Sequence, residues 1–231
     1  MKKLQIDVLT IFPEMINGYT SQSILGRAQK AGLLNISAHD LREYTEDKHG
    51  RVDDKPFGGG PGMILQIEPI YKALKSLNVL RYANTSPDAK EVHSERGSTR
   101  IILTSAKGKI FTQKDAVRLS EYDHLVFICG RYEGVDERVA KNFVDEEFAI
   151  GKYVLTGGEL PALVMSDSIA RLRPGVLGKE ESLDEESWSK GNNREYPQYS
   201  RPEDFMGLKV PEVLLSGDHK KIAQWRDKKS K

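Results

Sequence analysis

The strongest constraint on what this chain can fold into is a set of three glycine turns gathered in one stretch of sequence. The turns lie at residues 130–134, 150–153 and 155–161. The first follows the apolar run at 124–129, and the last leads into a second apolar segment at 162–165. Glycines at the ends of buried strands let backbone amides and carbonyls approach a ligand where a Cβ would collide. The pattern therefore predicts a pocket walled largely by main chain.

Charge is balanced over the whole chain but unevenly distributed along it. The 231 residues include 35 Lys and Arg against 34 Asp and Glu, so the overall charge points to no class of partner. Residues 179–190 carry two Lys against five acidic side chains, whereas residues 218–231 carry six basic side chains against two acidic ones. A basic end of this kind is typical of a solvated tail, and it also suits contacts with phosphates.

The cysteine content and the N-terminal sequence bear on the cellular compartment. Cys129 is the only cysteine, which excludes an internal disulfide framework and fits a reducing compartment. Because it ends an apolar run, a buried structural thiol is favoured over a nucleophile. Gln5 and Asp7 interrupt the first apolar run, so the sequence lacks the core of a signal peptide, and no stretch approaches the length of a membrane span. These features predict a cytoplasmic protein without a membrane partner.

Short apolar runs alternate with helical patterns over most of the chain. Strands are predicted at 4–11, 33–38, 101–104, 125–129 and 147–150, and helices at 23–31, 69–77 and 112–119. The last helix opens on a capping box formed by Thr112 and Asp115. Such alternation predicts an α/β fold with a mostly parallel sheet and helices on both faces. Segments 42–62 and 81–100 are predicted to be irregular.

Three parts follow from this organisation. Residues 1–173 are predicted to form the α/β domain that carries the pocket. Residues 174–197 are acidic and lack an apolar period, which indicates a flexible linker. Residues 198–231 hold enough apolar side chains for a few small helices but form a poor independent core.

Several common chemistries lack their motifs in this sequence. No G-x-G-x-x-G follows the first strand and no G-x-x-x-x-G-K-[ST] occurs, which argues against a dinucleotide site or a P-loop. No G-x-S-x-G elbow marks a hydrolase. The five His residues are scattered, so no ligand spacing predicts a resident metal. What remains is a backbone-lined pocket with carboxylates and arginines.

Four separated motifs carry a resemblance to a known family. They are GGGPGM at 58–63, CGRYEGVDER at 129–138, GGELP at 157–161 and VLLSGDH at 213–219. Together and in this order they resemble the bacterial tRNA (guanine-37-N1)-methyltransferases, the TrmD family, and the similarity runs from about residue 6 to residue 226. Four ordered motifs are far more specific than any one glycine turn alone.

The resemblance implies a fold, a cofactor and an assembly. It implies the SPOUT class, with a deep trefoil knot in the sheet, a homodimer, and S-adenosylmethionine held by the loops of the knot. Knots are rare exceptions to the usual topology rules, and no periodicity in the sequence reveals one. The cofactor-binding residues that the resemblance implies are Leu103, Thr104, Ser105, Gly130, Tyr132, Glu133, Gly134, Ile150, Gly151, Tyr153, Leu155, Gly157, Gly158 and Pro161.

The implied reaction is methyl transfer to N1 of guanosine 37 in the tRNA anticodon loop. Arg171 matches the catalytic arginine of the family, where a guanidinium near O6 would stabilise the charge that develops as N1 loses its proton. Glu186 occupies the position of the family's general base, which is usually Asp, and its extra methylene can shift the proton acceptor by about an ångström. Asp184 and Glu185 are the alternative bases if the linker is shifted by one or two residues relative to the family's motif.

Contacts with the RNA are predicted mainly from the last part of the chain, which becomes a tRNA-binding domain in this interpretation. A base in an anticodon loop can be splayed out and read on its edges. The residues predicted to contact the RNA are Arg201, His219, Lys220, Lys221 and Arg226, with Asp53 and Asp54 nearer to the target nucleotide. The resemblance also implies a role for Mg²⁺, although the sequence shows no dedicated ligand cluster.

Two alternatives stay open at this point. One is another SPOUT methyltransferase, which would act on a different RNA position or on ribose. The other is a non-catalytic RNA-binding protein that retains the knot, and the glutamate at position 186 is the one feature that favours it.

Overall fold

A computed structural model describes residues 2–80, 99–178, 186–188 and 194–230. The chain divides into two compact units, Met1–Gly178 and Lys179–Lys231. The functional division into a cofactor domain, a linker and a tRNA-binding domain stays a prediction.

The first unit is built on one parallel sheet of five strands. These strands are β1 (Leu4–Thr10), β2 (Leu34–Asp40), β5 (Thr99–Ile110), β6 (His124–Cys129) and β7 (Glu146–Ala149). Their order across the sheet is β2-β1-β6-β5-β7, and every pairing is parallel. A separate antiparallel pair joins β3 (Asp53–Asp54) to β4 (Ile64–Leu65). The predicted parallel sheet is confirmed, and the knot stays a prediction.

Six α-helices accompany the sheet in the described part of the first unit. They are α1 (Pro13–Thr20), α2 (Ser23–Lys30), α3 (Ile67–Ser76), α4 (Gln113–Ser120), α5 (Glu137–Asn142) and α6 (Glu159–Ala170). The predictions for α2, α3 and α4 are confirmed within a few residues, including the capping box of Thr112 and Asp115. The sequence pattern missed α1, α5 and α6. In α6 most positions are buried, so no polar stripe marks the helical period.

The two core clusters lie on opposite faces of the sheet. Along β6, Leu125, Phe127 and Cys129 pack in the cluster that also contains buried residues of α1, α2, α4 and α6. The intervening Val126 and Ile128 pack in the cluster with α3 and α5. This alternation follows from the two-residue period of a strand. The prediction of helices on both faces is therefore confirmed.

The irregular segments are only partly described. The segment at 42–62 contains β3 and the end of a 3₁₀ turn at Leu41–Tyr44, so it is less irregular than predicted. Residues 99 and 100 belong to β5, and residues 81–98 lie outside the described residues.

The second unit combines two short helices with a hairpin that the sequence pattern did not predict. The hairpin pairs β8 (Asp204–Phe205) with β9 (Leu208–Lys209) through a turn at Met206 and Gly207. The helices are α7 (Glu212–Leu215) and α8 (His219–Lys229). In the parts of the chain that the structure describes, no helix is long and apolar enough to cross a membrane.

Candidate functional site

A cavity of about 420 Å³ opens at the carboxyl ends of β6 and β7 and beside residues 103–107 of β5. Its walls come from the irregular part of β5 after Thr104, the turn at 130–134, and the segment between β7 and α6. Its lining includes all the residues that the resemblance assigns to the cofactor: Leu103, Thr104, Ser105, Gly130, Tyr132, Glu133, Gly134, Ile150, Gly151, Tyr153, Leu155, Gly157, Gly158 and Pro161. Parallel strands bring their carboxyl ends to one edge of a sheet, which explains how loops so distant in sequence meet.

The cavity also has lining residues that are not among those assigned to the cofactor, although Arg131, Val154 and Thr156 lie in turns or loops that were predicted to form its wall. The additional residues are Ala106, Lys107, Arg131, Val135, Glu137, Ala140, Phe148, Ala149, Val154 and Thr156. The Lys107 Nζ lies 2.6 Å from Glu137 Oε2, and this pairing raises the pKa of Lys107 and lowers that of Glu137. Arg131 could have been found, because it lies inside the GRYEG turn. The wall is therefore less purely main chain than the glycine pattern predicts.

Hydrogen bonds join the loops around the cavity to one another. The amide of Gly158 donates to the carbonyl of Gly130 at 2.8 Å, and the amide of Gly130 donates to Thr104 Oγ1 at 3.3 Å. A Cβ built on Gly158 would overlap Thr104 Oγ1 and would lie 2.7 Å from the nitrogen of Gly130. Gly158 therefore permits close packing of the chain on itself. This differs from the approach to a ligand that the sequence suggested for it.

The GGGPGM motif leads directly into the cavity wall. The amide of Glu133 donates to the carbonyl of Met63 at 3.0 Å, and the amide of Leu65 donates to the carbonyl of Gly134 at 3.0 Å. These bonds hold the end of the motif against the turn at 130–134. Phe57, just before the motif, is 99% exposed.

Asp53, predicted to contact RNA, interacts with a residue of the cavity. Burial, and then the negative charge of Asp53, raise the pKa of the Tyr132 hydroxyl above its ordinary value. Tyr132 itself has a left-handed backbone conformation, with φ of 58°, and its side chain is half exposed. A residue assigned to the cofactor and one assigned to RNA thus lie side by side at this end of the sheet.

The two residues predicted to carry the chemistry belong to different units. Arg171 follows α6 as its C-terminal cap residue in the first unit. Glu186 belongs to the second unit, in the short described stretch at 186–188. The alternatives Asp184 and Glu185 lie outside the described residues. Their catalytic roles stay predictions.

The RNA-binding residues predicted in the second unit surround α8. The Asp218 carboxylate caps this helix by accepting hydrogen bonds from the amides of Lys220 and Lys221 at 3.1 Å. Lys220, Lys221 and Arg226 are exposed. The guanidinium of Arg226 lies 4.7 Å from the centre of the Tyr196 ring, a cation–π contact that orients it. Arg201, also exposed, lies ahead of the hairpin.

The cysteine offers no competing chemistry. Cys129 is buried, and burial raises the pKa of its thiol well above the ordinary value, so it stays protonated. Among residues 2–80, 99–178, 186–188 and 194–230, no three His, Cys, Asp or Glu side chains gather in a way that could hold a metal ion.

Comparison with known proteins identifies close relatives. A family model described as tRNA (Guanine-1)-methyltransferase TrmD matches residues 4–231. A tRNA (guanine-N(1)-)-methyltransferase from Dictyoglomus turgidum is 50% identical over 98% of this chain and 85% of its own length. One of the same name from Bacillus subtilis is 48% identical over 98% of this chain and 87% of its own. The crystal structure of tRNA (m1G37) methyltransferase from Aquifex aeolicus matches with a TM-score of 0.76 and 39% identity, over 97% of this chain and 88% of that chain.

Proposed function

Because this chain belongs to the tRNA (guanine-1)-methyltransferase family TrmD, we propose that it methylates N1 of guanosine 37 in tRNA, with S-adenosylmethionine as the methyl donor. The observation that carries the proposal is the single cavity that gathers every residue assigned to the cofactor from four segments of the sequence. Its volume of about 420 Å³ falls in the range of small-molecule sites.

The cavity residues fit an adenosyl cofactor. The main chain of the loops that line the cavity carries amides and carbonyls of the kind that can recognise a nucleoside by hydrogen bonds. The apolar side chains of Leu103, Val135 and Ile150 offer surface for an adenine ring. When bound, S-adenosylmethionine supplies an electrophilic methyl group on a sulfonium.

The protein then has two chemical tasks, which we assign to Glu186 and Arg171. Glu186 accepts the proton that leaves guanine N1, as a general base must do before N1 can act as a nucleophile. Arg171 stabilises the negative charge that this step develops at O6. Asp184 and Glu185 are the next candidates for the base.

The second unit suits the proposed tRNA substrate. Residues 218–231 carry an excess of positive charge, and α8 presents Lys220, Lys221 and Arg226 to solvent. Phosphate contacts of this kind give affinity without sequence specificity. His219 and Arg201 extend the same set, and Asp53, beside Tyr132, is assigned to the target nucleotide.

We also propose a homodimer, formed through the exposed apolar surface of α1 and α6. Phe12, Met15 and Tyr19 at α1 and Leu160 and Val164 on α6 are all exposed. The two helices pack together, and the Tyr19 hydroxyl donates to Asp167 Oδ2 at 2.5 Å. Exposed apolar side chains on two packed helices are typical of a subunit interface, and the family resemblance names a second copy as the occupant.

The substrate assignment is tested with labelled S-adenosylmethionine and tRNA transcripts that carry either guanosine or adenosine at position 37. We expect methylation of the first transcript only, and we expect EDTA to lower the rate. Equal methylation of both transcripts would favour a methyltransferase of another RNA position. Failure to bind S-adenosylhomocysteine in calorimetry would favour a non-catalytic RNA-binding protein.

The base assignment is tested by single-turnover methylation of the Glu186→Gln variant across a pH series. Loss of a general base should slow the chemical step by about 10²–10⁴-fold and leave cofactor affinity nearly intact. Raising the pH should partly restore this variant, because hydroxide competes better for the proton, and should restore Arg171→Ala poorly. Glu186→Asp should be active. Glu203→Gln, which removes an exposed carboxylate of the same unit, is the control. Wild-type single-turnover rates in Glu186→Gln would move the base to Asp184 or Glu185.

A further inference from the structure

Glu159 is a buried carboxylate at the start of α6, and its side chain is 1% exposed. Both of its oxygens have protein partners. Thr10 Oγ1 donates to Oε1 at 2.7 Å, and Arg131 Nε donates to Oε2 at 2.9 Å. Because desolvation offsets much of the attraction in a buried ion pair, such a pair adds little net stability, but it fixes the positions of the groups that it joins.

Arg131 carries this interaction to the wall of the cavity. It lines the cavity, and its Nη1 donates to the carbonyl of Thr156 at 3.2 Å. Its guanidinium also lies 4.4 Å from the centre of the Phe12 ring. The set formed by Thr10, Arg131 and Glu159 thus joins the end of β1 to two cavity loops, the turn at 130–134 and the segment before α6.

The glycine before Gly158 leaves the space that the ion pair occupies. A Cβ built on Gly157 would overlap the Arg131 guanidinium and would lie 2.6 Å from Glu159 Oε2. The first glycine of the GGELP motif therefore makes room for a side-chain contact, whereas the second packs against backbone. Both glycines therefore allow the turn at 130–134 and the segment before α6 to pack together.

We propose that Glu159 is a positioning residue, which acts through Arg131 to hold the two loops at the separation that the adenosyl cofactor requires. The inference rests on the proposed function only for the identity of that ligand. Arg131 has its Nε and Nη1 donors engaged by Glu159 and Thr156. The pair therefore sets the shape of the cavity without taking part in proton transfer. Loss of the pair should therefore lower cofactor affinity more than it lowers the rate of methyl transfer.

The test compares two charge-neutralising variants of the full chain by calorimetry with S-adenosylhomocysteine. Glu159→Gln breaks the proposed pair. Glu146→Gln is the matched control, because Glu146 forms a bidentate pair with Arg118, at 2.9 and 2.6 Å, and neither residue lines the cavity. We expect Glu159→Gln to weaken affinity by about 10- to 100-fold, the scale of a lost hydrogen bond to a charged group. Glu146→Gln should bind like the wild type, even where denaturant midpoints show equal loss of stability.

Two further readouts separate positioning from a general structural role. Single-turnover methylation of Glu159→Gln at saturating cofactor should stay within about threefold of the wild-type rate, while the KM for the cofactor rises. In a double-mutant cycle, Glu159→Gln should weaken binding much less in an Arg131→Lys background, because lysine lacks the fork that the carboxylate holds. If Glu159→Gln does not fold, Thr10→Val should weaken binding in the same direction, because it removes the donor to Oε1; it also removes the acceptor of the Phe12 amide.

Three results would overturn the proposal. They are wild-type affinity in Glu159→Gln, an equal loss in Glu146→Gln at matched stability, or strict additivity with Arg131→Lys. A wild-type protein that does not bind S-adenosylhomocysteine would instead overturn the proposed function, so the two failures are distinguishable.

Discussion

The GGELP and GGGPGM motifs both contain runs of glycine, and the structure uses glycine in them for opposite reasons. Gly158 has ordinary right-handed backbone angles, with φ of −85°, but a Cβ there would collide with atoms of β5 and β6. Gly59 has a left-handed φ of 79°, and nothing lies within 4 Å of the position its Cβ would take. Gly158 is therefore required by close packing, and Gly59 is required by its backbone conformation.

Gly62, in the GGGPGM motif, combines both requirements. Its φ is 79°, and its Cβ would lie 2.6 Å from Glu133 Oε1 at the cavity wall. The neighbour is a side chain, which can turn away, whereas the neighbours of Gly158 include backbone atoms. A run of glycines in the sequence thus indicates a structural constraint, but it does not show whether the constraint is close packing or a left-handed backbone. Alanine substitutions separate the two, and their expected effects can be ranked from largest to smallest.

The largest effect is expected for Gly158→Ala. Its Cβ would lie 2.7 Å from the nitrogen of Gly130 and 2.8 Å from the Cα of Cys129, so the start of α6 must move away from the end of β6. Overpacking of this kind should lower the free energy of unfolding by about 3 kcal/mol and abolish binding of S-adenosylhomocysteine. Urea unfolding and calorimetry measure both. Gly158→Val should act in the same way, by displacing the chain rather than by filling the cavity.

The control for Gly158→Ala is a glycine with neither constraint. Gly18 lies within α1, with open space around its Cβ position. Gly18→Ala should raise the free energy of unfolding by about 0.5–1 kcal/mol, the usual gain from removing a helical glycine. Equal stability of Gly158→Ala and the wild type would show that the surrounding chain adapts to the extra methyl group. It would contradict the conclusion that packing requires a glycine at position 158.

An intermediate effect is expected for Gly62→Ala. The left-handed backbone should lower the free energy of unfolding by about 1–2 kcal/mol, and the Glu133 carboxylate has to turn away from the new methyl group. Because Glu133 lines the cavity, S-adenosylhomocysteine should bind more weakly. In a Glu133→Ala background the collision is absent, so Gly62→Ala should then change stability but not affinity. An unchanged loss of affinity in that background contradicts this explanation.

The smallest effect is expected for Gly59→Ala. Only the backbone conformation is at stake there, so the free energy of unfolding should fall by about 1 kcal/mol, with no change in cofactor affinity. The same urea and calorimetry experiments apply. Weakened binding of S-adenosylhomocysteine would mean that this part of the loop contributes to the cavity. The glycines of GGGPGM would then not be explained by backbone conformation alone.

Elements with a clear period were predictable, and elements without one were not. The strands of the parallel sheet have short apolar runs bounded by polar residues, and all five are confirmed. Four lie within two residues of their predicted bounds, whereas β5 extends six residues beyond its predicted end at Thr104. The helix α6 is buried on most sides, and the hairpin of β8 and β9 has strands of two residues, too short to show alternation. For the same reason the Phe205 and Leu208 pairing across its turn left no sequence signal.

The sequence by itself determined which segments form the five strands of the parallel sheet, because an apolar run between polar residues depends only on neighbouring residues. Through four ordered motifs and the resemblance that they carry, it also indicated many of the residues that line one cavity. Only the tertiary structure decided what each turn faces. Thr10 and Glu159 are 149 positions apart in sequence, yet their side chains meet. The neighbours of Gly158 likewise come from β5 and from the turn after β6. A Cβ collision or a buried ion pair depends on distances between such remote segments, and folding sets these distances.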